Sequence, residues 1–324
     1  MKSVLYSLLF GIIVSQALAA AEAGEKFSPL NLQGLTFIHD PSTILSDGQR
    51  YYVFGTGAGI PVRTSADLVH WEGAGTVFAK SPAWTLKQIP DFRGHIWAPD
   101  VVQVHGKYFL YYSVSTFGKQ VSAIALTTSP RLDQTMTNFL WTDVGVVISS
   151  AKGDAYNTID PSVLLDHDGR LWLAFGSYWQ GIFLIELDPE SGLRLDRQTP
   201  PAHLAWNNSI EAACLTQHSK YYYLFVNWGE CCKGTNSTYQ VRVGRAEKIT
   251  GPYLDRDGND LAGGGGTLFL QSSGHYIGPG HIGILRDHGT DWFSYHYYDA
   301  MTQGRSRLAL GKLNWPDDWP VPAM

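Results

Sequence analysis

The chain has 324 residues, of which 13% are aromatic and only 16% are charged, with a formal net charge of -5. This composition excludes disordered, collagen-like and coiled-coil chains. The slightly acidic balance and the lack of a basic stretch argue against a nucleic-acid partner. Many Trp and Tyr residues in a chain of low charge are common in β-rich proteins with sugar-binding surfaces.

The N-terminus has the pattern of a secretory signal peptide. Lys2 is followed by a largely apolar run over 4–14, and Ala17-Leu18-Ala19 fits the small-residue rule for cleavage. The apolar run is too short for a comfortable membrane span, and no later segment is longer. We therefore expect a signal peptide over 1–19, cleavage near Ala19, one domain over 20–324, and an exported protein with no membrane partner.

Two copies of one motif come next in the chain. His39-Asp40-Pro41-Ser42 and Ile159-Asp160-Pro161-Ser162 are each followed by an apolar run, an Asp-Gly turn and an aromatic-rich run. Two short apolar runs joined by such a turn are typical of a β-hairpin. The repetition predicts a radial architecture that gathers the two carboxylates near its centre.

Three further copies of the hairpin pattern follow Asp100, Glu211 and His281. The five anchors therefore recur at intervals of about 50–70 residues, which is enough chain for four short strands each. The sequence predicts an all-β fold, a five-bladed β-propeller, with the anchors where the inner strands enter the central channel. The run Ser306–Leu313 is expected to close the ring with an N-terminal partner, and a closed ring favours a monomer.

Three of the anchors are acids from different blades, namely Asp40, Asp160 and Glu211. An acid in a turn is ordinarily a solvated turn residue. These acids differ because each precedes an apolar strand, which would bring them together at the mouth of the channel. Two carboxyl groups in one site can hydrolyse a glycosidic bond, one as acid and the other as base or nucleophile.

The three cysteines, Cys214, Cys231 and Cys232, form neither a disulfide scaffold nor the spaced pairs of a zinc site. The adjacent pair leaves two interpretations open. It either forms a vicinal disulfide in an exported protein or consists of two small buried thiols.

Several motifs together resemble the endo-α-1,5-L-arabinanases of glycoside hydrolase family 43, in order and over the whole mature chain. They are His39-Asp40-Pro41-Ser42, Trp97-Ala98-Pro99-Asp100-Val101, Ser115-Thr116-Phe117-Gly118, Tyr156-Asn157-Thr158-Ile159-Asp160-Pro161, Phe175-Gly176-Ser177-Tyr178-Trp179, Cys231-Cys232-Lys233-Gly234, Gly278-Pro279-Gly280-His281 and Tyr295-His296-Tyr297-Tyr298-Asp299. The resemblance implies a five-bladed propeller, which agrees with the repeat count. It also implies an arabinan or arabino-oligosaccharide substrate.

The resemblance assigns Asp40 as general base, Glu211 as general acid and Asp160 as a third carboxylate. Such an enzyme inverts the anomeric configuration, and its base and acid carboxyls are expected about 6.5–9.5 Å apart. Glu211 must stay protonated near neutral pH, and a neighbouring Asp160 anion would raise its pKa. Asp100 is expected to be a structural anchor of its blade.

The resemblance also implies contacts with the sugar chain and with a metal. The expected substrate contacts are Asp40, Trp97, Phe117, Gly118, Asn157, Thr158, Ile159, Asp160, Ser177, Tyr178 and Trp179. For the aromatic residues Trp97 and Phe117, packing between blades is the alternative to stacking on sugars. His281 is expected to contact a calcium ion whose other ligands are mostly water, and no organic cofactor is implied. Lys119 and Tyr178 depart from the family pattern near the expected groove.

Three functions remain open at this point. An endo-acting arabinanase needs a groove that is open at both ends, whereas an exo-acting arabinofuranosidase, arabinanase or β-xylosidase on the same fold needs one end blocked. The third possibility is a propeller that binds arabinan without cleaving it. The three carboxylates favour an enzyme, and the sequence favours the endo form.

Overall fold

The computed structural model describes residues 27–133 and 140–323, so the predicted signal peptide over 1–19 lies outside the described residues. Five sheets of four or five strands follow one another along the chain, and all their strand pairs are antiparallel except the outermost pair of the first sheet. The innermost strands of neighbouring sheets lie side by side. The prediction of an all-β, five-bladed β-propeller is therefore confirmed. We call the sheets blade 1 to blade 5 in chain order.

Blade 1 and the start of blade 2 contain the first six strands: β1 (Gln33–Gly34), β2 (Leu45–Ser46), β3 (Tyr51–Phe54), β4 (Gly57–Ala58), β5 (Pro61–Ser65) and β6 (His70–Thr76). Blade 1 has the order β1-β6-β5-β3-β2, whereas β4 pairs with the first strand of blade 2. The other strands of blade 2 are β7 (His95–Val104), β8 (Lys107–Val114), β9 (Ser122–Ser129) and β10 (Thr142–Ser150).

The remaining blades have four strands each. Blade 3 consists of β11 (Ser162–Leu165), β12 (Leu171–Phe175), β13 (Ile182–Leu187) and β14 (Ala202–Ala205). Blade 4 consists of β15 (Ile210–His218), β16 (Tyr221–Trp228), β17 (Gln240–Ala246) and β18 (Thr267–Leu270). Blade 5 consists of β19 (Tyr276–Asp287), β20 (Thr290–Asp299), β21 (Arg305–Asn314) and β22 (Val321–Pro322).

Helical structure is sparse in the part of the chain that the structure describes. It comprises one short helix, α1 (Trp84–Gln88), and 3-10 turns at Gly234–Asn236, Leu261–Gly263, Ala300–Thr302 and Pro316–Asp318. None of these described helices is long and apolar enough to cross a membrane.

The ring closes between the N-terminal segment and β21 of blade 5. Phe37 forms an antiparallel bridge with Arg307, and the backbone N–H of Leu308 donates to the carbonyl of Thr36 at 2.8 Å. The sequence predicted the closing strand over Ser306–Leu313 without a partner. The structure extends this strand by one residue at each end and supplies the partner.

The hydrophobic core consists of five clusters, one at each interface between neighbouring blades. Aromatic residues provide much of the packing: Tyr112 lies between blades 1 and 2, Phe175 between blades 2 and 3, and Phe293 between blades 4 and 5. Burying such side chains provides the main stabilisation of the ring. Most of the aromatic residues therefore pack between blades, and the cleft uses only a few.

Each blade places one residue in the left-handed backbone region within its inner strand or shortly before it. These residues are Asp40, Ala98, Asp160, Ala212 and His281, with φ between 45° and 57°. Left-handed backbone is uncommon for residues other than glycine and needs support from its surroundings. The sequence placed the anchors of blades 2 and 4 at Asp100 and Glu211. In the structure the left-handed residue of blade 2 is Ala98, two residues before Asp100, and that of blade 4 is Ala212, one residue after Glu211.

The support comes from a ring of hydrogen bonds between blades. The backbone N–H of each left-handed residue donates to a side chain of the preceding blade, at 2.8–3.2 Å. The acceptors are Thr56 for Ala98, Ser113 for Asp160, Asp160 for Ala212, Asn227 for His281, and His296 for Asp40. This hydrogen-bond ring fixes the backbone of five residues around one end of the channel.

Candidate active site

A cleft of about 970 Å³ lies at that end of the channel and is lined by all five blades. Asp40 comes from blade 1, Asp160 from blade 3 and Glu211 from blade 4. The structure therefore brings together the three acids that the sequence singled out. Asp160 and Glu211 are buried, whereas 17% of the Asp40 side chain is exposed to the cleft.

Asp40 is surrounded by groups that stabilise a negative charge. Its Oδ2 accepts a hydrogen bond from the hydroxyl of Thr56 at 2.6 Å, and its Oδ1 lies 2.8 Å from Nδ1 of His39. Rings of His281 and His296 each lie 3.6 Å from the same Oδ1. Burial opposes ionisation, but the charge and hydrogen bond of His39 hold the pKa of Asp40 well below its usual range.

Glu211 is held in the opposite protonation state. Burial is the largest influence and raises the pKa of Glu211 to about 7, and the charge of Asp40 adds to this effect. The hydroxyl of Ser177 donates to Oε2 at 2.7 Å and opposes the rise, while the Tyr239 hydroxyl contacts Oε1. The sequence attributed the raised pKa to an Asp160 anion. In the structure burial is the first cause, and Asp40 is the carboxylate that contributes.

Asp160 joins the third and fourth blades beneath the cleft. Its Oδ2 accepts from the backbone N–H of Ala212 at 3.1 Å, and its own N–H donates to the Ser113 hydroxyl at 3.0 Å. Burial, together with the charges of Glu211 and Asp40, raises the pKa of Asp160 well above its usual value. Because Ala212 follows Glu211 directly, Asp160 fixes the backbone that carries Glu211.

Most of the residues expected to contact substrate reach the cleft surface. In addition to Asp40 and Asp160, they are Trp97, Phe117, Gly118, Asn157, Ile159, Ser177, Tyr178 and Trp179. Phe117 is 79% exposed and Trp179 is 41% exposed, which is unusual for such large apolar rings. Lys119, one of the two departures from the family pattern, also lines the cleft.

Thr158 is the exception among these expected contacts. It is fully buried, its hydroxyl donates to the carbonyl of Ser122 at 2.8 Å, and its backbone N–H donates to the Ser150 hydroxyl at 3.1 Å. Because both groups are already hydrogen-bonded below the cleft floor, Thr158 supports the neighbouring Asn157 and Ile159. It does not face the cleft.

Several cleft residues were not assigned a role from the sequence. They are His39, Thr56, Tyr239, Tyr298 and the pair Cys231 and Cys232. His39 lies inside the repeated motif, so its position was a usable signal. Tyr298 also lies inside a quoted motif, Tyr295–Asp299, whereas nothing in the local sequence distinguished Tyr239 from the many tyrosines that pack between blades.

Cys231 and Cys232 form a vicinal disulfide on the wall of the cleft. Of the two interpretations that the sequence left open, the structure has the disulfide. The alternative of two buried thiols is wrong, because the two sulfurs are bonded and Cys232 is exposed. Cys214 is a free, buried cysteine, and burial raises the pKa of its thiol well above the usual value, which makes it unreactive.

Asp100 lies outside the cleft lining, between three blades. Its Oδ1 accepts the backbone N–H of Thr43 in blade 1 at 2.9 Å, and its Oδ2 accepts that of Val163 in blade 3 at 2.8 Å. Burial raises the pKa of Asp100 to about 6 although both N–H groups favour the ionised form. This geometry is that of a structural anchor, as the sequence indicated.

The histidines near Asp40 are the candidate metal ligands. His281 is 5% exposed, lines the cleft, and burial lowers its pKa, so its neutral ring can coordinate a cation. Ligand atoms of His39, Asp40 and His296 lie within 4.8 Å of one another, and Nδ1 of each histidine already contacts Asp40. Calcium prefers six to eight oxygen ligands. A calcium ion bound here would therefore need water for most of its ligands.

Comparison with known proteins identifies the family of the chain. The sequence profile of the family described as Glycosyl hydrolases family 43 matches residues 34–320. The chain is 37% identical to the extracellular exo-α-(1→5)-L-arabinofuranosidase ArbA of Cellvibrio japonicus, over 87% of this chain and 85% of the relative. It is 38% identical to the extracellular endo-α-(1→5)-L-arabinanase 1 of Bacillus subtilis, over 87% of each.

A solved structure agrees equally well with the fold. The α-L-arabinanase of Cellvibrio cellulosa in complex with arabinohexaose superposes with a TM-score of 0.84 at 35% identity, over 89% of this chain and 95% of that one. The family match over residues 34–320 spans all five blades. The chain therefore belongs to glycosyl hydrolase family 43 and is a glycoside hydrolase.

Proposed function

We propose that the enzyme hydrolyses α-1,5-L-arabinofuranosidic links of arabinan. The names of both relatives and the arabinohexaose complex support this substrate. The observation that carries the chemistry is the opposite pKa shift of two carboxyls in one cleft. Asp40 is held ionised and Glu211 has its pKa raised to about 7, which are the states required of a base and an acid.

In the proposed reaction, a water molecule attacks the anomeric carbon on the face opposite the leaving oxygen. Asp40 accepts a proton from that water as the new C–O bond forms. Glu211 donates its proton to the leaving oxygen as the glycosidic bond breaks. After release of the products, Asp40 is protonated and Glu211 is ionised, and exchange with solvent restores both states. One displacement of this kind inverts the anomeric configuration.

Asp160 has a supporting role in this proposal. Its hydrogen bond to the N–H of Ala212 holds the backbone that carries Glu211, and its carboxyl shares the buried site with Glu211. Asp160 therefore orients the acid and influences its proton affinity. It takes no proton from water and donates none to the leaving group.

Alanine substitutions test the assignment of base and acid. We expect Asp40→Ala and Glu211→Ala each to lower kcat on linear arabinan by roughly 10²–10⁴-fold, because each removes one proton transfer. Glu247 is exposed and lies outside the cleft lining, so Glu247→Ala is the matched control and should keep wild-type turnover. Full activity in Glu211→Ala, or binding of arabinan without turnover in the wild type, would contradict the proposal.

We propose endo action on internal links as the finer assignment. Both exo and endo enzymes occur among the relatives, so an exo-acting enzyme is the second candidate. A time course of products from linear arabinan separates them, with the anomeric configuration followed by NMR. Mixed early oligosaccharides support endo action, whereas arabinose or one fixed short product from the first minutes indicates exo action. Retention of configuration would contradict the mechanism itself.

We propose that calcium, where it binds, contacts His281 and is otherwise held by water. His281 provides one nitrogen and its nearest carboxylate, on Asp40, is 3.6 Å away. Treatment with EDTA followed by measurement of melting temperature and bound metal tests this proposal. A loss of calcium that leaves both Tm and turnover unchanged would argue against any role for the ion.

We further propose that the mature protein is secreted and monomeric. The predicted signal peptide and the word extracellular in the names of two relatives support export. Fractionation of an expressing culture and mass spectrometry of the mature N-terminus test cleavage near Ala19. Size-exclusion chromatography with light scattering tests the monomer.

A further inference from the structure

A line of three hydrogen bonds leads from the disulfide loop to Asp40. The backbone N–H of Cys232 donates to the Tyr298 hydroxyl at 2.7 Å, and this hydroxyl lies 2.8 Å from Nε2 of His39. The other ring nitrogen of His39, Nδ1, lies 2.8 Å from Oδ1 of Asp40. The line joins blades 4, 5 and 1 along the wall of the cleft.

The direction of donation is fixed at both ends of this line. An ionised carboxylate can only accept, so Nδ1 of His39 must carry the proton that faces Asp40. At the other end the Tyr298 oxygen accepts from the backbone N–H of Cys232. Between them, the Tyr298 hydroxyl donates to Nε2 when the His39 ring is neutral, and Nε2 donates to the Tyr298 oxygen when the ring is protonated.

The surroundings hold the His39 ring in one orientation. The ring is stacked on that of His296, with centroids 4.2 Å apart and planes 25° from parallel. His296 is fully buried and its Nδ1 accepts the backbone N–H of Asp40. Because Thr56 holds the other oxygen of Asp40, rotation of the carboxylate is restricted at both oxygens.

We propose that His39 and Tyr298 are positioning residues for Asp40, anchored on the backbone of Cys232. Tyr298 holds the orientation of the His39 ring, and His39 holds Oδ1 of Asp40. Neither residue contacts the reacting atoms. This inference rests on the proposed role of Asp40 as the base. It assigns a function to Tyr298 and to the disulfide loop over 230–234, neither of which takes part in the proposed reaction.

Tyr298→Phe tests the inference because it removes one hydroxyl and keeps the ring. We expect kcat on linear arabinan to fall about three- to tenfold, the value of one hydrogen bond, with KM unchanged. Tyr297→Phe is the control, since Tyr297 is also a buried tyrosine of β20 and lies outside the cleft lining. It should leave both constants unchanged.

Rescue by sodium azide tests whether Asp40 is the base. Azide is an anion that needs no deprotonation, so it can replace water on an aryl arabino-oligosaccharide whose leaving group needs little acid assistance. We expect azide to accelerate cleavage, with formation of a glycosyl azide, in Asp40→Ala, which removes the carboxylate. Azide should not accelerate the wild type, Tyr297→Phe or Tyr298→Phe, because all three keep the negative charge of Asp40.

Two substitutions of His39 provide a second test that does not depend on Tyr298→Phe folding. The amide nitrogen of His39→Asn lies near the position of Nδ1, whereas that of His39→Gln lies near Nε2. We expect the Asn variant to retain more kcat than the Gln variant. Equal kcat in both variants, or wild-type kcat in Tyr298→Phe, would overturn the inference.

The same experiments distinguish this inference from the proposed function. If Asp40→Ala keeps wild-type turnover, the role of Asp40 as base is wrong and the inference is overturned with it. If Asp40→Ala is inactive and rescued by azide while the His39 and Tyr298 variants behave as wild type, only the positioning role is wrong.

Discussion

Nδ1 of His296, in the last blade, accepts a hydrogen bond from the backbone N–H of Asp40, in the first blade, at 3.2 Å. This contact is the closing member of the hydrogen-bond ring around the channel. It also fixes the backbone of Asp40, which has a φ of 47°. Closure of the propeller and placement of the proposed base therefore depend on the same side chain.

Substitution of His296 should reduce both stability and turnover. His296→Ala leaves the N–H of Asp40 without its acceptor in a buried site, which costs about 1–3 kcal/mol in the free energy of unfolding. His296→Asn offers a carbonyl oxygen near the position of Nδ1 and should recover part of that loss. Urea denaturation and kcat on arabinan measure the two effects. Equal stability of the Ala and Asn variants would contradict the importance of this acceptor.

Activity should decline as the pH rises through about 7, because the raised pKa of Glu211 means that the acid loses its proton there. Asp40, whose pKa is held well below the usual range, should cause no acidic decline within the ordinary range of pH. The pH profile of kcat/KM checks both statements.

Ser177 provides a directional test of the same profile. Its hydroxyl donates to Glu211 and favours the ionised form, so Ser177→Ala should raise the pKa of Glu211 and move the basic limb to higher pH. A shift to lower pH would contradict the assignment of that limb to Glu211. Ser191→Ala, in an exposed turn away from the cleft, is the control.

Asp100→Asn should destabilise the fold and leave the chemistry intact. The amide nitrogen of Asn cannot accept the N–H of Thr43 or Val163 that it would face, which costs about 1–3 kcal/mol in the free energy of unfolding. Asp168→Asn, in an exposed turn, is the matched control. Loss of kcat without loss of stability would instead place Asp100 in the chemistry.

Phe117→Ala and Trp179→Ala should weaken binding of long arabinan more than they slow the reaction. Both rings are exposed in the cleft, and stacking of a sugar on an aromatic face binds ground state and transition state alike. We therefore expect a higher KM, by about three- to tenfold, at nearly constant kcat.

Trp206→Ala is the control for these two variants, since Trp206 is 37% exposed but lies outside the cleft lining. It should leave KM for arabinan unchanged. If all three variants behave alike, the two cleft aromatics are ordinary surface residues and the proposed stacking is wrong.

The five-bladed propeller could be predicted from the sequence because each blade carries the same local hairpin pattern. Each copy pairs an apolar strand with a turn and an aromatic strand, so five copies predict five blades. The three acids could be located for the same reason, since Asp40, Asp160 and Glu211 stand next to the start of the inner strands. Asp100 and Glu211 differ by one or two residues from the structural repeat, which falls on Ala98 and Ala212, because an alanine carries no chemical signal in a sequence.

Only the tertiary structure decided how these acids differ. The pKa of Asp40 is lowered by His39, which is adjacent in sequence, but also by His281 and His296 from the last blade. The pKa of Glu211 is raised chiefly by burial, which depends on all five blades closing around the residue. The positions of Tyr239 and Tyr298 at the cleft, and of Thr158 beneath it, likewise depend on packing between distant segments. Periodicity determined which residues reach the channel, and the packing of the closed ring determined what each of them faces there.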